Sequence, residues 1–193
     1  MTDRQQEIIN TSMELIAEGG IQALTIKNLA KKIGFAESAI YRHYENKIQI
    51  LLAILDYFKT GNELLYKDIL NESGSSLQLI KKIFALHLQK FYESPSLVPV
   101  IFSEEIFRNE EELSKKVSEI MKNSSEKIRL LLVRGQQEGE VRDDIDVSHL
   151  ALMTMGSLRM FVKMWDMSGN KFDLVKEGGK FTESIVKVIS KAG

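Results

Sequence analysis

Residues 37–42 bring together side chains that can hydrogen-bond to the edges of DNA bases. Glu37 can accept a hydrogen bond from the amino group of cytosine, and Ser38 lies beside it. Arg42 can bind either a guanine or a phosphate, and the sequence leaves both roles open. A glutamate at the start of a helix also stabilises the helix dipole, and Glu37 can have this role as well. The chemistry predicted for this segment is recognition of double-stranded DNA.

Two short helices joined by a glycine turn are predicted to position this segment. Thr25 is a good N-cap for the first helix, whose apolar residues recur at helical spacing. Gly34 can adopt the left-handed conformation that ends a helix, and Phe35 can fill the corner that follows. The apolar residues predicted to face inward are Ile26, Leu29, Ala30, Ile33, Ala36, Ala39, Ile40 and Tyr44. This pattern predicts a helix-turn-helix, whose second helix can enter the major groove.

The rest of the chain also has helical periodicity, and no segment shows the alternation typical of a strand. The first helix is predicted to end at Gly19 and Gly20, and Asn46 to cap a long helix that extends to about residue 70. Further helices are predicted over about 77–92, 100–107, 109–138, 147–168 and 172–189. The fold class is therefore all-α. We expect a three-helix DNA-binding head over residues 1–46 and a helical effector-binding and dimerisation domain over residues 47–193.

The distribution of charge predicts that any DNA contact is local. The formal net charge is −1, which argues against a protein that binds nucleic acid over its whole surface. Residues 25–47 nevertheless contain five lysine or arginine residues against two glutamates, a net charge of +3. The chain has no cysteine, no start typical of a secretory signal and no apolar run of the roughly 18 residues that span a membrane. We expect a cytoplasmic protein without a membrane partner.

The C-terminal domain is rich in phenylalanine and methionine, which suit a cavity for a hydrophobic effector, either acyl or aromatic. A filled helical core needs the same residue types, so both interpretations remain open. The candidate ligand-binding residues are Phe84, Phe91, Phe102, Phe107, Met121, Met153, Met160, Met164 and Trp165. Gly156 lies inside a predicted helix and permits close approach of another helix, from a second subunit or from the same one.

The N-terminal stretch from about residue 8 to residue 55 resembles the TetR family of one-component bacterial and archaeal regulators. The residues that carry the resemblance are Thr25, Leu29, Ala30, Gly34, Ile40, Tyr41, His43, Tyr44 and Lys47. The resemblance implies a repressor that binds a near-palindromic operator as a homodimer, joined by its last two helices. It also implies that a small-molecule effector in the C-terminal domain releases the DNA. Half-sites on one face of the DNA lie about 34 to 36 Å apart, or a multiple of this, which requires a rigid dimer.

The resemblance also assigns contacts with the phosphate backbone. The predicted DNA-contacting residues are Thr25, Lys27, Ala36, Glu37, Ser38, Tyr41, Arg42, His43 and Lys47. In similar proteins the positions of Tyr41, His43 and Lys47 bind phosphates. Lys47 is unfavourable at the start of a helix, and a phosphate partner would offset this. Many relatives have serine or threonine in place of Ala36, which lacks the hydroxyl that caps a helix, so the recognition helix is expected to fray more readily.

An enzyme and a protein-interaction module are the alternatives to a regulator. The chain contains three histidines, no cysteine and no glycine-rich phosphate loop, so we expect no catalytic residue, no bound metal and no cofactor. His87 and His149 belong to different predicted helices and are interpreted as packing or surface groups. Turnover of a bound metabolite would favour a helical ligand-binding enzyme. Specific, salt-dependent DNA binding would exclude a helix-turn-helix used only for protein contacts.

Overall fold

The computed structural model describes residues 1–102 and 110–191, and in these residues it confirms the all-α prediction. The described helices are α1 (Asp3–Ala23), α2 (Ile26–Ile33), α3 (Glu37–Tyr41), α4 (Lys47–Leu70), α5 (Ser76–Glu93), α6 (Leu97–Ile101), α7 (Glu111–Gln137), α8 (Val147–Met167) and α9 (Leu174–Ile189). The chain divides into two compact units. The first contains Met1–Thr60 and the described part of Ser94–Ser118, and the second contains Gly61–Glu93 and the described part of Glu119–Gly193.

The first unit contains the helix-turn-helix. Thr25 Oγ1 accepts a hydrogen bond of 3.0 Å from the backbone N–H of Asn28, which confirms the predicted N-cap of α2. Gly34 has φ of 84°, and its N–H donates to the Ala30 carbonyl, so it ends α2 in the left-handed conformation. Leu29 and Ile40 are fully buried between α2, α3 and the rest of this unit. These contacts hold α3 from its inner side.

Helix α1 contains the break that its glycines predict. Gly19 and Gly20 depart from helical geometry, with φ of 69° at Gly20, and one further turn follows to Ala23. Ile8, Ile9 and Ile16 form the buried side of α1. The glycine pair therefore interrupts the helix at the expected place without ending the helical segment.

The ends of α4 and α6 provide one confirmation and one correction. Asn46 Oδ1 accepts a hydrogen bond of 3.0 Å from the N–H of Gln49, as expected for the cap of α4. The helix predicted over residues 100–107 begins earlier, since α6 spans Leu97–Ile101. Pro99 is the third residue of α6, where a missing N–H is tolerated because the first helical turn has no acceptor for it. The part of the prediction over residues 103–109 lies outside the described residues.

The second unit is built from the last ten residues of α4, α5, most of α7, α8 and α9. Asp146 and Asp173 cap α8 and α9 through their side chains, and Asp173 explains why α9 begins two residues later than predicted. Helices α5 and α9 approach closely, because a Cβ placed on Gly178 would lie 2.6 Å from Cδ1 of Leu88. Val141 and Ser190 form an isolated antiparallel bridge. None of the described helices is both long and apolar enough to cross a membrane.

Candidate nucleic-acid interface and effector region

The helix-turn-helix presents the predicted DNA contacts at the surface of the first unit. Exposed residues are Thr25, Lys27, Ala36, Glu37, Ser38, Tyr41 and Arg42, whereas His43 and Lys47 are half-buried. Tyr41 is 51% exposed, which is unusual for a large aromatic side chain. Its neighbour Ile40 is fully buried. Helix α3 is therefore anchored by its apolar side and leaves its polar side available for DNA.

The recognition helix is shorter than the segment of residues 37–42 that is predicted to recognise DNA. Helix α3 ends at Tyr41, and Arg42 and His43 follow in a turn in which the N–H groups of His43 and Tyr44 both donate to the Ile40 carbonyl. Ala36 occupies the N-cap position and makes no side-chain hydrogen bond to the helix, as expected from its methyl group. A five-residue helix without a side-chain cap depends on tertiary packing, here through Ile40 and Tyr44.

The basic residues of this region have two different roles. Lys32 binds Glu18 and Glu14 of α1, at 2.5 and 3.4 Å, and the pKa of Lys32 is raised mainly by the hydrogen bond that it donates to Glu18. Lys47 donates a hydrogen bond of 2.6 Å from Nζ to the Ile21 carbonyl, and partial burial lowers its pKa. Lys47 therefore stabilises the turn at the end of α1. To bind a DNA phosphate as predicted, the Lys47 ammonium group must either donate to the phosphate and the Ile21 carbonyl together or leave the carbonyl.

We predict that Lys47→Ala lowers the free energy of unfolding by about 1 kcal/mol, because the Ile21 carbonyl loses a charge-assisted hydrogen bond. Urea unfolding followed by circular dichroism measures this change. Lys31→Ala is the control, because Lys31 is exposed on α2, and we expect its effect to stay within about 0.5 kcal/mol. Equal stability of both variants would show that Lys47 contributes nothing to the fold and is available for DNA.

The structure separates the predicted ligand-binding residues into different environments. Phe84, Phe91 and Trp165 are buried in the second unit, and Trp165 Nε1 donates to the Phe172 carbonyl at 3.0 Å. Met153, Met160 and Met164 lie on the outer side of α8, where Met160 is 60% exposed. Met121 is also exposed, Phe102 is half-buried, and Phe107 lies outside the described residues. The described residues of this set are therefore divided between the core and the surface. The sequence could not separate them, because helical spacing does not reveal which side of α8 faces the core.

The sequence interpretation missed a buried polar cluster in the second unit. The Tyr66 hydroxyl and His87 Nε2 share a hydrogen bond of 2.9 Å, and Tyr66 also bonds to Ser124. Burial raises the pKa of Tyr66 to about 12 and lowers that of His87 to about 4, so both are neutral near pH 7. Asn62 lies one turn before Tyr66 on α4 and is also buried. Its spacing from Tyr66 was the available signal: two polar residues, four apart, on an otherwise apolar side.

A shallow apolar groove follows α8 and reaches α9. It encloses about 420 Å³ and is lined by Leu152, Met153, Gly156, Ser157, Met160, Phe161, Met164 and Phe181. The Phe161 and Phe181 rings stack with their centroids 4.6 Å apart and form its floor. A Cβ placed on Gly156 would meet nothing within 4 Å in the described parts of the chain. Of the two interpretations of Gly156, close packing within one subunit is therefore wrong for the described residues.

A helix-turn-helix with an exposed reading face, followed on the same chain by a second helical unit, is the architecture of a DNA-binding transcriptional regulator. Residues 8–54 match the family model for bacterial regulatory proteins of the tetR family, and residues 64–189, more than half of the chain, match the model for the C-terminal region of YsiA-like proteins. The chain belongs to the TetR family of bacterial regulatory proteins, which confirms the predicted family.

The chain is similar over its whole length to known regulators. It is 27% identical over 188 residues to the fatty acid metabolism regulator protein of Bacillus subtilis (strain 168), covering 96% of this chain and 95% of that protein. The crystal structure of the transcriptional regulator FadR from Bacillus subtilis in complex with stearoyl-CoA matches with a TM-score of 0.81 and 26% identity, over 95% of this chain and 98% of that one. The fatty acid degradation regulator FadR from Bacillus halodurans has the same fold, with a TM-score of 0.85, 22% identity and 96% coverage of both chains.

Proposed function

We propose that this protein is a homodimeric repressor that binds a near-palindromic operator and is released from it by a long-chain fatty acyl-CoA. DNA recognition belongs to residues 1–46, and effector binding and dimerisation belong to residues 47–193. The protein acts by binding and not by catalysis. Its location is the cytoplasm, because its operator DNA lies there.

The similarity of the effector region supports the proposed effector class. The match to YsiA-like C-terminal regions covers residues 64–189, which include Tyr66, His87 and Ser124 of the buried polar cluster and most of the apolar core of the second unit. The Bacillus subtilis regulator with the same fold was solved with stearoyl-CoA bound. This similarity is the observation that carries the proposal. A largely apolar interior also suits the acyl chain of such an effector.

The uncovered groove on α8 supports the proposed dimer. Met160 and Met164, both more than half exposed, form part of an apolar surface centred on Gly156. Exposed apolar surface of this kind is typical of a protein interface, and a glycine at its centre allows two helix backbones to approach closely. Two copies of one groove form a self-complementary, two-fold interface, which gives the two heads that a near-palindromic operator requires.

Helix α4 is the proposed connection between effector and DNA. Its first half contributes Ile50, Leu51 and Ile54 to the core of the first unit, and its second half contributes Tyr66 and Ile69 to the core of the second unit. A displacement of α4 by the effector is therefore the proposed signal to the helix-turn-helix. The effector then lowers the affinity for DNA, and DNA lowers the affinity for the effector by the same factor.

Titration of the protein–operator complex with stearoyl-CoA tests the proposed function. We expect fluorescence anisotropy of a labelled promoter fragment to show at least a tenfold loss of affinity, since typical coupling between two sites is of about this size or larger. Coenzyme A without an acyl chain is the control and should leave the complex intact. Unchanged affinity with stearoyl-CoA would contradict the effector class, and hydrolysis of the thioester during incubation would favour the enzyme alternative.

A further inference from the structure

Among the described residues of the second unit, one buried amide nitrogen has no hydrogen-bond partner. Asn62 is 3% exposed, and its Oδ1 accepts a hydrogen bond of 3.3 Å from Lys90 Nζ. Because an ammonium group only donates, this contact fixes the orientation of the amide. Asn62 Nδ2 then has no hydrogen-bond partner among the described residues. A buried donor without an acceptor is rare in proteins and requires an explanation, such as a bound ligand.

The neighbouring polar groups do not supply the missing acceptor. Tyr66, one turn further along α4, is already bonded to His87 and Ser124. Ile69 and Phe91 are buried apolar residues of the same unit, and the His87 and Phe91 rings lie 6.5 Å apart. Among the described residues, Asn62 Nδ2 and Thr154 Oγ1 are the buried side-chain atoms without a hydrogen-bond partner, and of the two only the amide nitrogen is limited to donating.

Lys90 is held beside the amide by the local backbone. A Cβ placed on Gly61 would lie 2.7 Å from Lys90 Nζ, so the absence of a side chain at position 61 makes room for the ammonium group. Partial burial lowers the pKa of Lys90 from its usual value.

We propose that Asn62 Nδ2 donates a hydrogen bond to the acyl carbonyl oxygen of the effector, and that Lys90 holds the amide in the required orientation. The inference rests on the proposed function, because it takes the effector to be an acyl compound. A fatty acyl thioester combines a long apolar chain with one carbonyl acceptor. The carbonyl can accept the hydrogen bond that Asn62 Nδ2 lacks, and the chain can contact apolar side chains of the second unit.

Calorimetric titration of the full-length protein with three probes tests this inference. The probes are stearoyl-CoA, its thioether analogue S-octadecyl-CoA, which lacks only the carbonyl oxygen, and free stearate. We expect the wild-type protein to bind stearoyl-CoA about tenfold more tightly than the thioether, because the thioether leaves the amide unsatisfied. In Asn62→Leu and in the isosteric Asn62→Asp, which both lack the amide donor, we expect this ratio to fall to about one. Asn10→Leu, exposed on α1, should keep the wild-type ratio.

The outcomes separate this inference from the proposed function. Equal affinity of the wild-type protein for thioester and thioether would overturn the role of Asn62 while leaving the acyl-CoA effector in place. Retention of the tenfold ratio in either Asn62 variant would overturn it as well. Tighter binding of stearate than of both CoA compounds would assign the same amide to a carboxylate oxygen and contradict the thioester. Failure of all three probes to bind would contradict the acyl effector itself.

Discussion

Replacement of Met160 by glutamate is expected to convert the dimer into monomers and to weaken operator binding by roughly a hundredfold. Met160 is 60% exposed in one subunit and lies in the apolar groove of α8. In the proposed dimer this position is buried, and an unpaired carboxylate there costs several kcal/mol. Loss of the dimer removes the second head from the operator, and bivalent binding commonly contributes a factor of about 100 to 10,000. Light scattering and fluorescence anisotropy measure the two effects.

A matched control comes from α4. Leu64 is 61% exposed, nearly the same fraction as Met160, but does not line the groove. Leu64→Glu should therefore leave both the dimer and operator affinity unchanged. A dimer that survives Met160→Glu would place the interface on another surface, whereas dissociation of both variants would show a general loss of structure.

For Tyr41→Ala we expect a loss of about 1 to 3 kcal/mol in operator binding, with no change in dimerisation or in the free energy of unfolding. Tyr41 is 51% exposed at the end of α3, so its ring contributes little to the core. If its hydroxyl binds a phosphate, Tyr41→Phe should lose most of the same affinity, and binding to operator and to scrambled DNA should weaken by similar factors.

Tyr57→Ala is the control for Tyr41, because Tyr57 is 47% exposed on α4 and is not among the predicted DNA contacts. We expect its operator affinity to equal that of the wild-type protein. Wild-type affinity of Tyr41→Ala would remove Tyr41 from the interface. Selective loss of operator binding, with scrambled DNA unaffected, would instead indicate a base contact.

The sequence determined by itself the local geometry of this protein. The caps Thr25 and Asn46 and the left-handed Gly34 are decided by a few neighbouring residues, and each is found where the sequence predicts it. The helix-turn-helix follows from this geometry, because its apolar positions recur at helical spacing within one short segment. Local hydrogen bonds and helical spacing do not depend on distant parts of the chain.

Only the tertiary structure decided which sides of the long helices are buried and which polar groups meet. Met160 and Phe84 are both apolar residues on amphipathic helices, but the first is exposed in a groove and the second lies in the core. The Lys47 contact with the Ile21 carbonyl and the pairing of Tyr66 with His87 join residues more than 20 positions apart. Such contacts depend on how whole helices pack. The spacing of apolar residues identifies the apolar face of a helix, but it does not identify the helix that packs against this face.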